Sequence, residues 1–525
     1  MKILKQLFRA YLVFLFIAGH IVVGMGALIA YDRIGKSPRQ IFAIAAGKLK
    51  SVNHSLGSMA ESLVKEEAPK SFALIKLPGL EEWRGPGASV HRPAWRPAYG
   101  ASGKPVSEAD IALGIKPTTV AGGFPERIVS VDTTESILNA VSNAQPGDAI
   151  TLKPGIYTFK GRGIPAKTPG RPDAPIAVRA ETLGTVTLRF DMSEGFIVEA
   201  PYWIFENLQI EGICTQHTWC EHGLHVVGKA DSVVIRNNRL YDFNAQLKVN
   251  NGPVYGLNGK RHSDFPDFGL VEGNTVADRG VRETGNPVTK LNINGGNDWV
   301  VRANLIADFE KGRGDQISYA AFMKANGKNG VFENNAVICH MNLESWDGIR
   351  LGLSFGGGGT GKNYCRDFSC ETEHTGGVIR NNVIMNCPKD VGIYLNRSKD
   401  TTIVHNGIYN TVGVDVRFPT SSAYLANNII DGRIRERDGG QSTAENNLTP
   451  GGGIFGSTGI SALFADPINA NFDLIEKDAV IGRGIPLKEP GVDFCARKRK
   501  TASPDLGPLD YAGPATCDVR NIWKR

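Results

Sequence analysis

The 525-residue chain holds 59 Lys/Arg against 53 Asp/Glu, a net charge of +6, with 62 Gly and 8% aromatic residues. The basic excess sits at one end: residues 1–125 carry 16 basic and 8 acidic side chains, and residues 126–525 carry 43 and 45. A near-neutral body lacks the basic stripe that nucleic-acid binding needs, so no nucleic-acid partner is expected.

Lys2, Lys5 and Arg9 precede an uncharged stretch over residues 10–31. That stretch is long enough to cross a hydrocarbon core of about 30 Å. A cleaved signal peptide is the rival reading, but the apolar run is long for one and Leu28-Ile29-Ala30 is a poor small-x-small site. The expectation is a cytoplasmic tip (1–9) and a single transmembrane anchor (10–31) in the inner membrane. A long downstream domain translocates largely regardless of flanking charge, which puts the bulk of the chain in the periplasm. Residues 32–77 read as a helical stalk, with Ile41, Ile44, Leu49, Val52, Leu56, Met59 and Leu63 falling mostly three or four apart. Residues 78–125 are rich in Pro and Gly and read as a linker.

Thr134 to Ala144 has the spacing of a short amphipathic helix, suited to covering the open end of a solenoid. Beyond it an aliphatic-x-Asn-Asn-x-aliphatic phrase recurs. It reads Val234-Ile235-Arg236-Asn237-Asn238, Val331-Phe332-Glu333-Asn334-Asn335 and Val378-Ile379-Arg380-Asn381-Asn382, with partial copies elsewhere. The second Asn is read at 207, 238, 274, 304, 335, 382, 406, 428 and 447, with shortest intervals of 19 to 24 residues. A period near twenty with short β-rich segments is the mark of a solenoid. Asn tolerates a left-handed turn and can ladder its amide against copies above and below. The fold expected is all-β: a right-handed parallel β-helix over 126–482 with an N-terminal helical cap, closed by a C-terminal tail or cap over 483–525.

All eight cysteines lie beyond the anchor. Cys214 with Cys220 and Cys365 with Cys370 are close enough to bridge within a loop. Cys339 and Cys387 follow their Asn by four and five residues and can stack, and Cys495 with Cys517 would staple the tail. An even count in an exported chain reads as disulfides, and the absence of any CxxC pair argues against a zinc site.

After each Asn comes a second strand of the form small-aliphatic-x-aliphatic-x. Side chains alternate along a strand, so the x positions point outward and stack into columns. One column is His225, Lys248, Asn292, Phe322, Arg350, Tyr394 and Asp415; the other is Val227, Asn250, Asn294, Lys324, Gly352, Asn396 and Arg417. A plain solvated face would also be polar. The gathering of Lys248, Lys324, Arg350 and Arg417 on one face of a near-neutral domain favours a binding face for an acidic polysaccharide. Asn250, Asn292, Asn294, Tyr394, Asn396, Asp415 and Arg417 would serve as further sugar contacts. Insertions at 275–289, 305–319 and 336–347 are placed to wall a groove. Glu371, Glu373 and His374 form a polar cluster in the cysteine-bearing loop.

The opening Pro146-Gly147-Asp148-Ala149-Ile150-Thr151-Leu152-Lys153-Pro154-Gly155-Ile156-Tyr157, followed by Ala174-Pro175-Ile176, resembles chondroitinase B and the related alginate lyases. Lys324-Ala325-Asn326-Gly327-Lys328 looks like their catalytic Lys segment, and Gly348-Ile349-Arg350 the strand bearing their catalytic Arg. The resemblance implies that Lys324 removes the C5 proton of a uronic acid while Arg350 assists at the leaving oxygen. The family's acidic calcium ligands would fall near Ile317 and Tyr319, where this chain has no carboxylate. No cofactor is required on this reading, calcium is unmatched, and any other metal is left unassigned. Lyase, C5-epimerase and a non-catalytic polysaccharide-binding or assembly protein of the cell envelope all remain open at this point.

Overall fold

The computed structural model describes residues 127–252, 264–343, 347–357, 359–449, 459–467, 470–488, 490–495, 498–500 and 502–511. The anchor, stalk and linker expected over 10–125, and Cys517, lie outside the described residues. No helix among the described residues is long and apolar enough to cross a membrane.

The chain winds into a parallel β-helix of three long sheets. In each coil a strand of sheet I (Val234–Arg236, for example) leads through a two-residue turn to sheet III (Arg239–Tyr241) and then to sheet II (Ala245–Asn250). Among the described residues sheet I has twelve strands and sheets II and III ten each, every neighbour parallel. The aliphatic positions fill one continuous core, with Ile235, Val271, Val301, Phe332, Ile379, Ile403 and Leu425 stacked in it and fully buried. The helix Thr134–Ser142 starts in a Thr133–Ser136 capping box and lays Ile137 and Val141 on the first coil.

The Asn repeat is a hydrogen-bonded ladder. Asn238, Asn274, Asn304, Asn335, Asn382, Asn406, Asn428 and Asn447 stack at one turn, and from Asn274 onward each amide oxygen accepts from the backbone N–H and side-chain amide of the Asn one coil before. Each amide also donates to a sheet I carbonyl, as Asn304 does to Val271. The residue before each ladder Asn is left-handed: Asn237, Ala303, Asn334, Asn381, His405 and Asn427 all have φ between 51° and 57°. Asn207, read from the sequence as a ladder member, is instead one of these left-handed residues at φ 59°, because Glu206 pairs with Arg236 and so Asn207 aligns with Asn237. The ladder place in that coil belongs to Leu208, whose N–H donates to the Asn238 side chain.

On the outside of sheet I, Arg179, Glu206, Arg236, Glu272, Arg302, Glu333 and Arg380 alternate in sign, one per coil. The alternation neutralises that face internally, leaving it little net charge to hold an anion.

Among the described residues the last parallel strand is Gln441–Glu445, well before the expected boundary at residue 482. Phe464, Phe472, Val480, Phe494, Leu506 and Leu509 fold back over the outside of sheet III, on Leu305, Ile338, Met385, Tyr409 and Ile429. The tail is pinned to the turn column, where Asn334 and Asn381 donate to Asp493 and Pro490 carbonyls. Apolar outward residues on sheet III need this cover, and a sequence pattern written in coils cannot say which face a tail will take.

Three expected disulfides are formed: Cys214–Cys220, Cys339–Cys387 and Cys365–Cys370. Cys495 is also disulfide-bonded, and no described cysteine is free.

Candidate functional site

The outer face of sheet II is neither self-neutralised like that of sheet I nor covered by the tail like the later coils of sheet III. The strands of sheet II bend at a tight corner, held by Gly195, Gly223, Gly352, Gly392 or Gly413 in five coils and by Gln246, Lys290 and Ala320 in the three between. A Cβ at Gly223 would lie 2.9 Å from the Gln246 carbonyl oxygen of the next coil. Where Gln246 and Lys290 replace glycine, their side chains turn inward, and Lys290 pairs with Asp278 at 2.6 Å in full burial. The bend brings residues three apart onto the same face: His222 and His225 rings lie 4.6 Å apart, and Tyr319 and Phe322 5.4 Å apart.

The central outward column runs His225, Lys248, Asn292, Phe322, Ser354, Tyr394, Asp415. Beside it run Val227 and Asn250, Asn294 and Lys324, then Asn396 and Arg417. The corner column contributes Glu194 and His222 at one end and Thr289, Tyr319 and Leu351 further on. The face is thus polar and titratable over its first half and aromatic over its second.

Lys248 sits at the centre of the polar half, partly buried, and donates to Asn292 Oδ1 at 2.9 Å. Burial, reinforced by the charge of Lys324, pulls its ammonium down to about 7, against the opposing pull of Glu194 and Glu221. Lys324 lies over the Phe322 ring at 4.6 Å. Burial lowers its ammonium too, opposed by the Glu373 carboxylate. Asn294 is buried, and its amide oxygen has no protein hydrogen-bond partner; the same holds for Asn396. A buried acceptor without a donor is costly, and a sugar hydroxyl would supply one.

Two walls flank this floor. On one side the segment 278–287 packs on 217–221, with Asn286 donating to Glu221 and the Glu283 N–H to His217. On the other, the loop 356–373 doubles back over three coils: Arg366 donates to the Gly295 carbonyl at 2.7 Å, and Asn251 to the Asn363 carbonyl at 2.9 Å. Glu373 anchors its base, accepting from the Ala325 N–H and Thr360. The first wall lies within one of the insertions expected from the sequence; the second was read there only as a cysteine-bearing loop.

The expected Lys324–Arg350 pair is not brought together. Arg350 is in register with Ser318, four residues short of Phe322, and Ser354 and Gly356 occupy the places read for Arg350 and Gly352. Its guanidinium is buried against Glu310 and the Cys339 carbonyl. The strand Ile349–Phe355 has a glycine before it and another within it, so the small-aliphatic-x pattern fits at two registers, and the wrong one was chosen. Arg417 pairs with Asp438 and donates to the Tyr394 hydroxyl, while Asp415 is held by Arg435 and Arg437. These charges lie beyond the aromatic half and are engaged with one another. Lys248, Asn250, Asn292, Asn294 and Lys324 do converge.

Sequence reasoning missed Glu194, Glu221 and His222. Glu194-Gly195-Phe196 aligns with His222-Gly223-Leu224 one coil later. Extending the strand pattern one coil upstream, and including the residue before each glycine, would have found Glu194 and His222; Glu221 lies one residue further back.

The calcium ligands implied by the resemblance do not fit this chain. Ile317 and Tyr319 belong to an apolar outward cluster with Leu351 and Tyr394, and the nearby Asp315 is paired with Lys311 at 2.7 Å.

No family model matches the chain. It is 30% identical over 142 residues to pectate lyase L of Dickeya chrysanthemi and, equally, of Dickeya dadantii (strain 3937), covering 24% of this chain. The chain spans about a third (31%) of the length of these curated relatives. Pectate lyase Pel9A superimposes with a TM-score of 0.53 at 16% identity, covering 75% of this chain and 98% of that one. An alginate lyase from Paenibacillus sp. str. FPU-7 gives 0.34 at 15%, covering 61% and 99%. The resemblance read from the sequence is borne out at that level: this chain is similar to the β-helix polysaccharide lyases.

Proposed function

We propose that this chain is a polysaccharide lyase, or the mechanistically related C5-epimerase, acting on an acidic, uronic-acid polysaccharide at the outer face of sheet II. The observation that carries the reading is Lys248, a partly buried amine brought down to about 7 between flanking walls and beside Asn250, Asn292 and Asn294. A general base works best with its pKa near the operating pH, and an unperturbed lysine is protonated there. Neutral Lys248 takes the C5 proton. Lys324, whose ammonium the Glu373 carboxylate favours against burial, neutralises the uronate carboxylate and so makes that proton acidic. Loss of the C4–O4 bond then yields a C4=C5 double bond; return of a proton to the opposite face yields the epimer instead. The aromatic half at Phe322 and Tyr394 suits stacking of a neighbouring sugar ring. This reading exchanges the roles implied by the resemblance, where Lys324 was the base and Arg350 its partner.

The compartment belongs to the same proposal. The uncharged span 10–31 would anchor the protein in the inner membrane, and the disulfides support a periplasmic location for the body.

The test is incubation of the full-length protein with a panel of uronic-acid polymers. Readouts are ultraviolet absorbance of unsaturated ends and hydrogen exchange at C5 in deuterated water. Lys248→Ala is expected to lower the rate about a hundred- to ten-thousand-fold. Wild-type kcat/KM should fall on the acid side with a pKa near 7. Neither elimination nor exchange across the panel would leave the alternative, a non-catalytic polysaccharide-binding or assembly protein of the cell envelope.

A further inference from the structure

Beside Lys248, one coil upstream, three chemically distinct ligand groups meet. His222 Nδ1 lies 2.9 Å and His225 Nδ1 3.0 Å from the same Glu194 oxygen, Oε2. The three candidate ligand atoms all fall within 4.8 Å of one another. The corner at Gly223 is what allows it, turning two histidines three apart in sequence toward one carboxylate from the preceding coil.

We infer that Glu194, His222 and His225 form a binding site for a divalent transition-metal ion of the zinc class, open toward the groove on its remaining side. Two imidazoles and one carboxylate are a zinc donor set with a position left for water or substrate. They are a poor set for calcium, which takes six to eight oxygens. An ion about 2.1 Å from each ligand needs them roughly 3.4 Å apart, so each histidine–carboxylate distance must open by only a few tenths of an ångström.

The hydrogen bonding around His225 points the same way. Its other ring nitrogen, Nε2, lies 3.1 Å from Asn250 Oδ1. In the tautomer that carries its proton on Nε2, that hydrogen goes to the Asn250 carbonyl and the Nδ1 lone pair is left on the Glu194 side for a cation; an amide carbonyl on the far nitrogen is the usual way a metal-binding histidine is oriented. Asn250 is then a positioning residue.

The inference stands without the lyase reading. If that reading also holds, the ion would lie next to Lys248 and share the substrate carboxylate with Lys324.

The experiment is calorimetric titration of the full-length, detergent-purified, chelator-stripped protein with Zn2+, with Ca2+ in parallel and Co2+ followed by its visible absorption. One Zn2+ per chain is expected, with Ca2+ failing to compete and Co2+ showing the intense bands of a low-coordinate site. His222→Ala and His225→Gln should each abolish stoichiometric binding, and Asn250→Ala should weaken it about ten- to a hundred-fold. Melting temperatures in chelator separate lost ligands from lost fold, and His225→Gln keeps the size of the side chain in case the alanine variant unfolds. Absence of stoichiometric Zn2+ binding, or its persistence in the His222→Ala/His225→Gln double variant, would overturn the assignment. The readout needs no turnover, so an inactive protein leaves it intact.

Discussion

Lys248 and Asn292 are direct neighbours on adjacent coils, and the lysine ammonium donates to the Asn292 amide oxygen at 2.9 Å. That bond favours the charged amine, yet burial and Lys324 together win and bring it to about 7. The protein therefore holds a group whose chemistry wants it neutral in a place that makes neutrality easy.

This has a consequence for stability. A lysine at about 7 in the folded state binds fewer protons than the unfolded chain from about pH 7 up to its ordinary value near 10.4. Stability therefore rises with pH across that window, and the penalty of the buried charge is fully present below it. Lys248→Met should be more stable than wild type at about pH 6, and the gap should close by about pH 10. Thermal unfolding at the two pH values checks it; a Lys248→Met melting temperature below wild type at the lower pH would contradict the burial argument.

Arg350 is expected to behave as a structural residue. Its guanidinium is buried against Glu310, and removing one member of a buried pair strands the other charge, at a cost of about 3–5 kcal/mol. Arg350→Ala should therefore lower the melting temperature strongly. Lys328→Ala, at an exposed position beyond the strand that carries Lys324, should stay within the ~0.5 kcal/mol of a surface change. Had Arg350 stood on the open face as the sequence alignment implied, the two variants would be alike.

That contrast marks what the sequence could and could not supply. The Asn ladder was legible because one turn needs one amide in every coil, so the same letter recurs at nearly every coil. The disulfides were legible because cysteine pairs fell at loop or stacking distance. Register within the second strand was not, because Gly348 and Gly352 offer the same small-aliphatic-x pattern four residues apart. A slip of four residues keeps the alternation of the letters, so nothing in the pattern penalises it, yet it carries Arg350 across the corner from the open face into burial. Glu194 and His222 were invisible for a different reason. They look outward from the residue before a corner, where the period-two rule assigns them to the core.

The ladder itself makes a sharp prediction. Asn335 Oδ1 accepts from both the backbone N–H and the side-chain amide of Asn304, and its own amide donates to the Val301 carbonyl and to Asn382. Asn335→Leu leaves those buried groups without partners, each costing about 1–3 kcal/mol. Leu208 is tolerated at the equivalent place only because its coil has no ladder Asn before it. Asn335→Leu should be among the most destabilising single changes in the solenoid, and a loss under about 1 kcal/mol in denaturant unfolding would mean the ladder is ornamental.

Two disulfides should separate stability from binding. Cys339–Cys387 joins neighbouring coils across 48 residues, and loop-closure entropy alone gives such a crosslink about 4 kcal/mol. Cys365–Cys370 spans five residues and by the same relation is worth about 2 kcal/mol, most of it spent on local shape. It lies in the wall loop, one residue before the Arg366 side chain that clamps Gly295 and Asp267. Loosening this bridge frees the loop without opening the core, so Cys365→Ser/Cys370→Ser should raise KM for a uronate polymer several-fold while kcat and the melting temperature change little. Cys339→Ser/Cys387→Ser should do the reverse, lowering the melting temperature and sparing KM. Should the wall-loop variant melt lower than the coil variant with KM unmoved, the loop is scaffold and the groove it borders is not where the polymer binds.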